Sequence, residues 1–331
     1  MKRCGLLGEK LGHSYSPAIH AELADYDYRL YEVAPEKLGE FLKDGEFDGL
    51  NVTIPYKKAV IPYCAALSPI AQKLQSVNVL VRRADGTLYG DNADAYGFDA
   101  MVKASGISVE GKKALVLGSG GASATVCAVL NELRARSVTV ISRSGEDNYG
   151  NLDRHADAEI IVNTTPVGMY PNCGVSPVDL RQFPRLAGVL DIVYNPARTA
   201  LVMQAEALGI PYMSGLYMLV AQAKRTAEVF EGHAILGSET ERIWKKLGCE
   251  MQNIVLIGMP GSARAPWPHA LPKRSIALRS TVTRRSKSAM AQAARPSSKE
   301  TERRRSECWK ARSSPISAGV RVWSSPRAAA A

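Results

Sequence analysis

No apolar run in the chain approaches the length of a membrane span, and Glu9 and Lys10 interrupt the first apolar residues before the core of a signal peptide can form. The six cysteines, Cys4, Cys64, Cys127, Cys173, Cys249 and Cys308, include no C-x-x-C pair. No cluster of His, Cys and carboxylates has metal-ligand spacing. Together these absences predict a cytoplasmic protein with reduced thiols, no metal and no membrane partner. There is no internal repeat. The length of 331 residues leaves room for two domains and a sizeable core.

Acidic residues nearly vanish towards the end of the chain. Residues 1–250 carry 26 Lys and Arg against 29 Asp and Glu, a balance of −3, whereas residues 251–331 carry 16 against 3. The net charge of +10 therefore belongs to the tail, and the rest has the balance of an ordinary mildly acidic globular protein. The tail lacks aromatic interleaving and helical periodicity, so a nucleic-acid-binding arm is not expected despite its charge.

What is present is organised around Ala114-Leu115-Val116-Leu117-Gly118-Ser119-Gly120-Gly121-Ala122-Ser123. An apolar run ends in a glycine cluster, and a helix-forming stretch follows from Ala122 to Arg136. Strand, tight turn and helix in that order suit a dinucleotide: Gly118 permits the turn, Gly120 and Gly121 admit a pyrophosphate, and the helix N-terminus offers free N–H groups. A second β-type run, Ser137–Ile141, completes a βαβ unit. An NAD site would place a carboxylate at the end of that strand for the ribose diol. Ser142-Arg143-Ser144 stands there instead, which predicts a 2′-phosphate and so NADP.

Before this unit, strands are expected at Arg3–Leu7, Tyr28–Val33 and Leu50–Ile54, a helix at Pro35–Lys43, and a hairpin of Val77–Val81 and Thr87–Tyr89 around Asp85-Gly86. Ser16 before Pro17 predicts a helix start with Ser16 as N-cap. Ser14 has no such local duty, and a hydroxyl pair at a strand's end suggests a polyol ligand. A further helix opens near Asp94 and runs to about Ser105. After it come strands at Glu159–Asn163, Val189–Tyr194 and Ile210–Met213. Thr164–Met169 is a loop at a strand's carboxyl end, where α/β sheets bind ligands, and Met169 there could cover a nicotinamide. Helices from Gly215 and over Ser238–Leu247 close the acidic portion. The alternation makes this an α/β protein.

Six stretches in one order carry a family resemblance over about residues 3–248. They are His13–Pro17, Asn51-Val52-Thr53-Ile54-Pro55-Tyr56-Lys57, Gly90-Asp91-Asn92-Ala93-Asp94, Gly118–Ser123, Asn163–Met169 and Gly215-Leu216-Tyr217-Met218-Leu219. The chain resembles the shikimate dehydrogenases, which reduce 3-dehydroshikimate to shikimate with NADPH on the way to chorismate and the aromatic amino acids. The resemblance implies an N-terminal α/β substrate domain over residues 1–105, completed by helices over about 216–248, and a Rossmann-type NADP domain over 106–215. It implies that Ser14, Ser16, Thr53, Asn78, Asp94, Tyr194 and Gln222 line the shikimate pocket, with Lys57 and Asp94 as the catalytic pair. The cofactor would meet Gly118, Ser119, Gly120, Gly121, Ala122, Ser123, Ser142, Arg143, Ser144, Thr164, Met169 and Gly215. A monomer or homodimer acting on a small molecule is expected.

The chain departs from the family pattern at several positions. Lys10 stands where proline is usual, and Ala93 where threonine precedes the aspartate. Ser142 replaces an Asn of the phosphate clamp, and Asp147 stands where a second basic residue is expected. Rival readings are a dehydrogenase that also accepts quinate, and a nucleotide-sensing relative without turnover; retention of both Lys57 and Asp94 argues against the sensor.

Residues 251–262 resemble the opening of a shikimate kinase, a strand running into a phosphate-binding loop of form G-x-x-x-x-G-K-[ST]. The required Gly, Lys and Ser/Thr positions hold Ala263, Arg264 and Ala265. Arg, Ser, Ala and Pro then dominate, as in a GC-rich gene read out of frame. Cys308-Trp309-Lys310 must be encoded TGY-TGG-AAR, whose offset triplets mean Leu-Glu; the same offset at Ala263–Pro266 permits Gly-Lys-Ser-Thr. The expectation is a frame-shifted remnant without kinase activity, with a strand at Ile254–Ile257 that has no domain to join and a disordered basic tail over the rest of 251–331.

Overall fold

The computed structural model of the chain describes residues 1–12, 14–256 and 322–326. His13, residues 257–321 and the last five lie outside the described residues, and with them most of the expected kinase remnant and tail.

The fold is α/β, built on two sheets. The first contains β1 (Arg3–Gly8), β2 (Asp27–Glu32), β3 (Gly49–Val52), β4 (Cys64–Leu67), β5 (Val79–Arg82) and β6 (Leu88–Asp91) in the order β2-β1-β3-β5-β6-β4. β5 runs against both its neighbours, and the other pairings are parallel. β5 and β6 form the hairpin expected around Asp85-Gly86. The second sheet is wholly parallel: β7 (Lys113–Leu117), β8 (Ser137–Ile141), β9 (Ile160–Asn163), β10 (Gly188–Asp191) and β11 (Tyr212–Ser214), in the order β11-β10-β9-β7-β8. Ala114–Leu117 and Ile160–Val162 are fully buried, as a parallel strand covered on both faces requires.

Helices α1 (Ser16–Leu23), α2 (Leu38–Asp44), α3 (Pro69–Leu74) and α4 (Ala93–Ser105) follow the strands of the first sheet. α5 (Gly121–Glu132) and α6 (Ala200–Ala207) belong to the second, and α7 (Leu216–Glu231) and α8 (Gly237–Glu250) close the unit. α4 carries the connection between the sheets. Asn92 caps it, its Oδ1 accepting from the N–H groups of Asp94 at 3.1 Å and Ala95 at 3.3 Å, and Gly106 ends it at φ +70°. Phe98 and Met101 on α4 are buried in one cluster with Val116, Val126 and Val162 of the second sheet and its helix. α7 crosses α4 closely: a Cβ on Gly97 would lie 2.8 Å from the Gln222 Cβ and from the Met218 carbonyl oxygen. The far end of α7 returns to the first sheet, where Phe230 and Ala227 pack with Cys4 and Val79. Ile19 of α1 packs with Val220, Ile243 and Leu247.

Several boundaries differ from the sequence reading. Ser16 is not the N-cap: Tyr15 holds that position in α-helical conformation with no side-chain cap bond, and Ser16 is already the first helical residue. Pro35–Lys43 divides into a 3₁₀ turn at Pro35–Lys37 and α2. α5 ends at Glu132, short of Arg136, because Arg134 turns left-handed at φ 58°. β10 stops at Asp191, three residues before Tyr194.

A second unit, Gln252–Arg327, is described only through β12 (Gln252–Leu256) and β13 (Val322–Pro326), which pair antiparallel from Gln252↔Pro326 to Leu256↔Val322. A strand spans Gln252–Leu256 where one was expected at Ile254–Ile257, of which Ile257 lies outside the described residues, and its described partner is the single strand β13. Its backbone groups bond to a segment near the end of the chain, the usual outcome for an unpaired strand edge.

Candidate active site

The site is assembled at the carboxyl ends of strands. β3 ends at Val52, and the Thr53 N–H bonds to the Leu7 carbonyl at 2.9 Å, drawing the turn that carries Lys57 towards the end of β1. The Lys57 carbonyl accepts the Val77 N–H at 2.8 Å, fixing that turn next to Asn78. Asp94 lies in the first turn of α4. Lys57 Nζ donates to Asp94 Oδ2 at 2.6 Å, with the side chains 32% and 18% exposed, so the pair is sheltered but open to a ligand. Asn78 is buried: its Oδ1 accepts the Ala93 N–H at 2.7 Å and its Nδ2 reaches Gln222 Oε1 at 3.5 Å. Lys57, Asn78, Asp94 and Gln222 are thus brought together, with Thr53 at the base of the same turn.

Ser14 and Ser16 lie in and just after the loop that follows β1. The Ser14 Oγ accepts the Ser16 N–H at 3.1 Å, so the local duty assigned from sequence to Ser16 falls to Ser14. Tyr15 between them meets Tyr194 edge to face, with ring centroids 6.0 Å apart. That contact brings Tyr194, from beyond β10, to the serine loop. Burial, reinforced by Tyr15, raises the Tyr194 phenol, which keeps it a neutral donor.

Behind these side chains lies a network that the sequence reading missed. Tyr28 is hydrogen-bonded to Ser16 and donates to Asn51 Oδ1 at 2.8 Å. Asn51 Nδ2 donates to Thr226 Oγ1 at 3.1 Å, and Thr226 donates to the Gln222 carbonyl at 3.0 Å. Ser16 and Gln222, from distant parts of the chain, are therefore joined through a chain of polar side chains. A polar Asn51 inside an otherwise apolar strand was the available signal.

On the second sheet, Gly118 turns at φ +101°, and a Cβ there would lie 2.8 Å from Thr165 and 3.1 Å from Thr164 Oγ1. Only glycine fits that crossing of two loops. Gly120 caps α5 without a side-chain bond, which leaves the first-turn amides of Gly121 and Ala122 available, as an anion requires. Ser119, Gly120 and Gly121 are exposed. Ser123 is turned inward: it is 3% exposed and hydrogen-bonded to Cys127, so its side chain does not face the glycine turn. Leu117 and Ile141 are in register, and the Gly118 N–H bonds to the Ile141 carbonyl at 2.8 Å, so Ser142-Arg143-Ser144 leaves β8 beside the turn. Arg143 and Ser144 are exposed, and Arg143 makes no ion pair among the described residues. Thr164 spends its hydroxyl on the Leu117 carbonyl at 2.7 Å, while Met169 is 44% exposed on the same loop. Gly215 is buried at the start of α7, its N–H bonded to the Val193 carbonyl at 3.1 Å. A glycine crossing, free amides and an arginine without an ion pair beside them fit a 2′-phosphorylated dinucleotide.

Among the described residues no group of His, Cys, Asp and Glu could hold a metal ion, and no helix is long and apolar enough to cross a membrane.

The chain is similar to shikimate dehydrogenases, and a quinate dehydrogenase from Corynebacterium glutamicum also aligns, with TM-score 0.67 and 25% identity over 74% of this chain and 98% of that one. Residues 6–80 match the family model for the shikimate dehydrogenase substrate binding domain. A shikimate dehydrogenase (NADP(+)) of Clostridium perfringens is 35% identical over 270 residues, covering 75% of this chain and 99% of the relative. The crystal structure of a chorismate mutase/shikimate 5-dehydrogenase fusion protein from Clostridium acetobutylicum aligns with TM-score 0.72 and 33% identity over 76% of this chain and 98% of that one. The shikimate 5-dehydrogenase of Thermus thermophilus, solved in complex with NADP(H) and shikimate, aligns with TM-score 0.67 and 31% identity over 74% and 99%.

Proposed function

The chain belongs to the shikimate dehydrogenase family, and we propose that it performs the NADP-dependent reduction of 3-dehydroshikimate to shikimate, in aromatic biosynthesis, with Lys57 and Asp94 handling the proton. The observation that carries this reading is the 2.6 Å bond between Lys57 Nζ and Asp94 Oδ2, beside Asn78 and Gln222.

When bound, NADPH supplies the hydride that reduces the ring carbonyl. The protein's part is to hold the ring and deliver a proton to the oxygen that becomes an alkoxide. Lys57 gives that proton from its ammonium, and in the reverse direction takes it from the C–OH. Asp94 fixes the direction of the lysine and offsets its charge in a partly desolvated site. Hydroxyl and amide groups of Ser14, Ser16, Thr53, Asn78, Tyr194 and Gln222 suit a ligand rich in hydroxyls. Arg143, with its planar fork, suits the 2′-phosphate of the cofactor, and Ser142 and Ser144 flank it.

Loss of NADPH absorbance on adding 3-dehydroshikimate tests the reading directly. The expected result is turnover that requires both compounds, with NADH a weaker donor. Turnover with neither cofactor would overturn it.

For residues 251–262 we retain the reading of a frame-shifted kinase opening. It is supported by Gly258 and Gly261 after the β12 segment and by the loss of Lys and Ser/Thr from the loop positions that follow. Resequencing the locus tests it: restoring one base near the codons for Ser262–Ala263 should open a kinase-like frame. A locus in which no such frame opens sinks the idea.

A further inference from the structure

Four residues stand in one row at the carboxyl ends of the second sheet. Leu117, Asn163, Asp191 and Ser214 are in register across β7, β9, β10 and β11, and each is the last residue of its strand. The chain leaves this row directly into the glycine turn, the Thr164–Met169 loop, the segment bearing Tyr194, and Gly215.

Asp191 in that row is fully buried and has no cationic partner among the described residues. Burial pushes its carboxyl up to about 6, against the opposing pull of three hydrogen bonds. Those bonds come from Thr199 Oγ1 at 2.6 Å, Asn163 Nδ2 at 2.9 Å and the Val193 N–H at 3.0 Å. A buried carboxylate is tolerated only when donors surround it in this way.

Each donor belongs to a different piece of the site. Asn163 turns its own Oδ1 to Thr165, accepting the backbone N–H at 3.0 Å and the hydroxyl at 2.7 Å. It thereby folds back the first half of the loop that carries Thr164 and Met169. Thr199 stands against the second half, since a Cβ on Gly168 would lie 3.5 Å from its Cβ, and it also caps α6 through the Val202 N–H at 3.2 Å. Val193 immediately precedes Tyr194, and its N–H bond to Asp191 is what ends β10 early.

We propose that Asp191 is a positioning residue: one buried carboxylate sets the Thr164–Met169 loop and the Tyr194 segment in a common frame, so that the cofactor and substrate pockets keep register with each other. The proposal rests on the reading above that these two segments face NADPH and shikimate.

The test is binding rather than turnover, on the full chain. Dissociation constants for NADPH, by its fluorescence, and for shikimate, by calorimetry, are compared for wild type, Asp191→Asn, Thr199→Val and Thr199→Ser. Asp191→Asn keeps the size and the oxygen that serves Asn163 and Val193, but turns an N–H₂ towards the Thr199 hydroxyl, which needs an acceptor. It should weaken both ligands by about tenfold, the scale of one buried donor left without its acceptor. Thr199→Val should weaken both by a smaller factor, and Thr199→Ser, which keeps the hydroxyl, should restore them. A merely structural role would lower Tm and leave both constants of the folded protein at wild-type values, which overturns the proposal; so does a loss confined to one ligand. If Asp191→Asn does not fold, equal affinities in the two Thr199 variants overturn it. A wild-type chain that binds neither ligand overturns the proposed function and this inference with it.

Discussion

The Asn78 carboxamide oxygen accepts the Ala93 N–H at 2.7 Å, so a residue that enters β5 pins the first turn of the helix bearing Asp94. Its amide end points the other way, towards Gln222. Asn78→Ala frees the Ala93 N–H and leaves the Gln222 side chain without this partner. The expected outcome is a higher KM for shikimate together with a lower kcat, and little change in NADPH affinity. An unchanged kcat would show that Asp94 keeps its place without Asn78.

Lys57→Ala removes the proposed proton donor while leaving the glycine turn untouched. A general acid–base group contributes about 10²–10⁴-fold, so kcat should fall by that order with the NADPH dissociation constant near wild type. Wild-type kcat in the variant would refute the assignment.

Arg143→Ala should weaken NADPH by about tenfold to a hundredfold, the range of a charge-assisted hydrogen bond, and leave NADH nearly untouched. Only the former carries a 2′-phosphate. Equal losses for both cofactors would show that Arg143 serves the adenine or the diphosphate instead.

Gly97→Ala places a methyl where α4 and α7 leave no room, 2.8 Å from the Gln222 Cβ and a backbone oxygen. Overpacking of this kind costs about 1–3 kcal/mol, so Tm should drop by several degrees. Because the displaced group is Gln222, KM for shikimate should rise as well. A variant with unchanged Tm would mean that the two helices can separate freely.

His20 is buried, stacked on Tyr28 at 4.1 Å between ring centroids and hydrogen-bonded to Tyr26. Desolvation pushes its imidazole down to about 3, with an Asn51 hydrogen bond acting the other way. The unfolded chain therefore binds a proton that the folded one refuses between about pH 6.5 and 3. Stability from this residue is complete above that window and is lost as pH falls through it. Asp191 acts with opposite sign, since its folded value of about 6 lies above the unfolded one, so its ionisation costs stability as pH rises from about 4 to 6. Denaturant unfolding from about pH 7 to about pH 4 should show a steeper acid loss in wild type than in His20→Leu; parallel profiles would mean that His20 is protonated in the folded protein.

The βαβ unit around Gly118 was legible because its signals are local: a continuous apolar run, a glycine turn, and a cation where a carboxylate would mark NAD. The alternation of strands and helices and the β5–β6 hairpin were legible for the same reason. What stayed hidden depended on which way a short polar side chain turns. Ser16 and Ser14 exchange the local duty expected of them, and Ser123 turns inward. The same holds for Tyr28, Asn51 and Thr226, whose bonds join residues as far apart in sequence as Asn51 and Thr226. Asp191 escaped because one carboxylate among strand residues carries no periodic signal. Its neighbours in the row become visible only through the sheet register.

The glycine crossing at Gly97 has an engineering consequence. Lys57, Asn78, Asp94 and Gln222 all hang on the first sheet and on the two helices pressed together there, while Arg143, proposed to select the cofactor, leaves the second sheet beyond β8. The groups proposed to move the proton thus sit on one sheet and two helices, and the arginine proposed to select the cofactor sits on the other sheet, with α4 packed against both. If Arg143 selects the cofactor as proposed, substitutions at residues 142–147 should change cofactor preference and leave the Lys57–Asp94 bond in place.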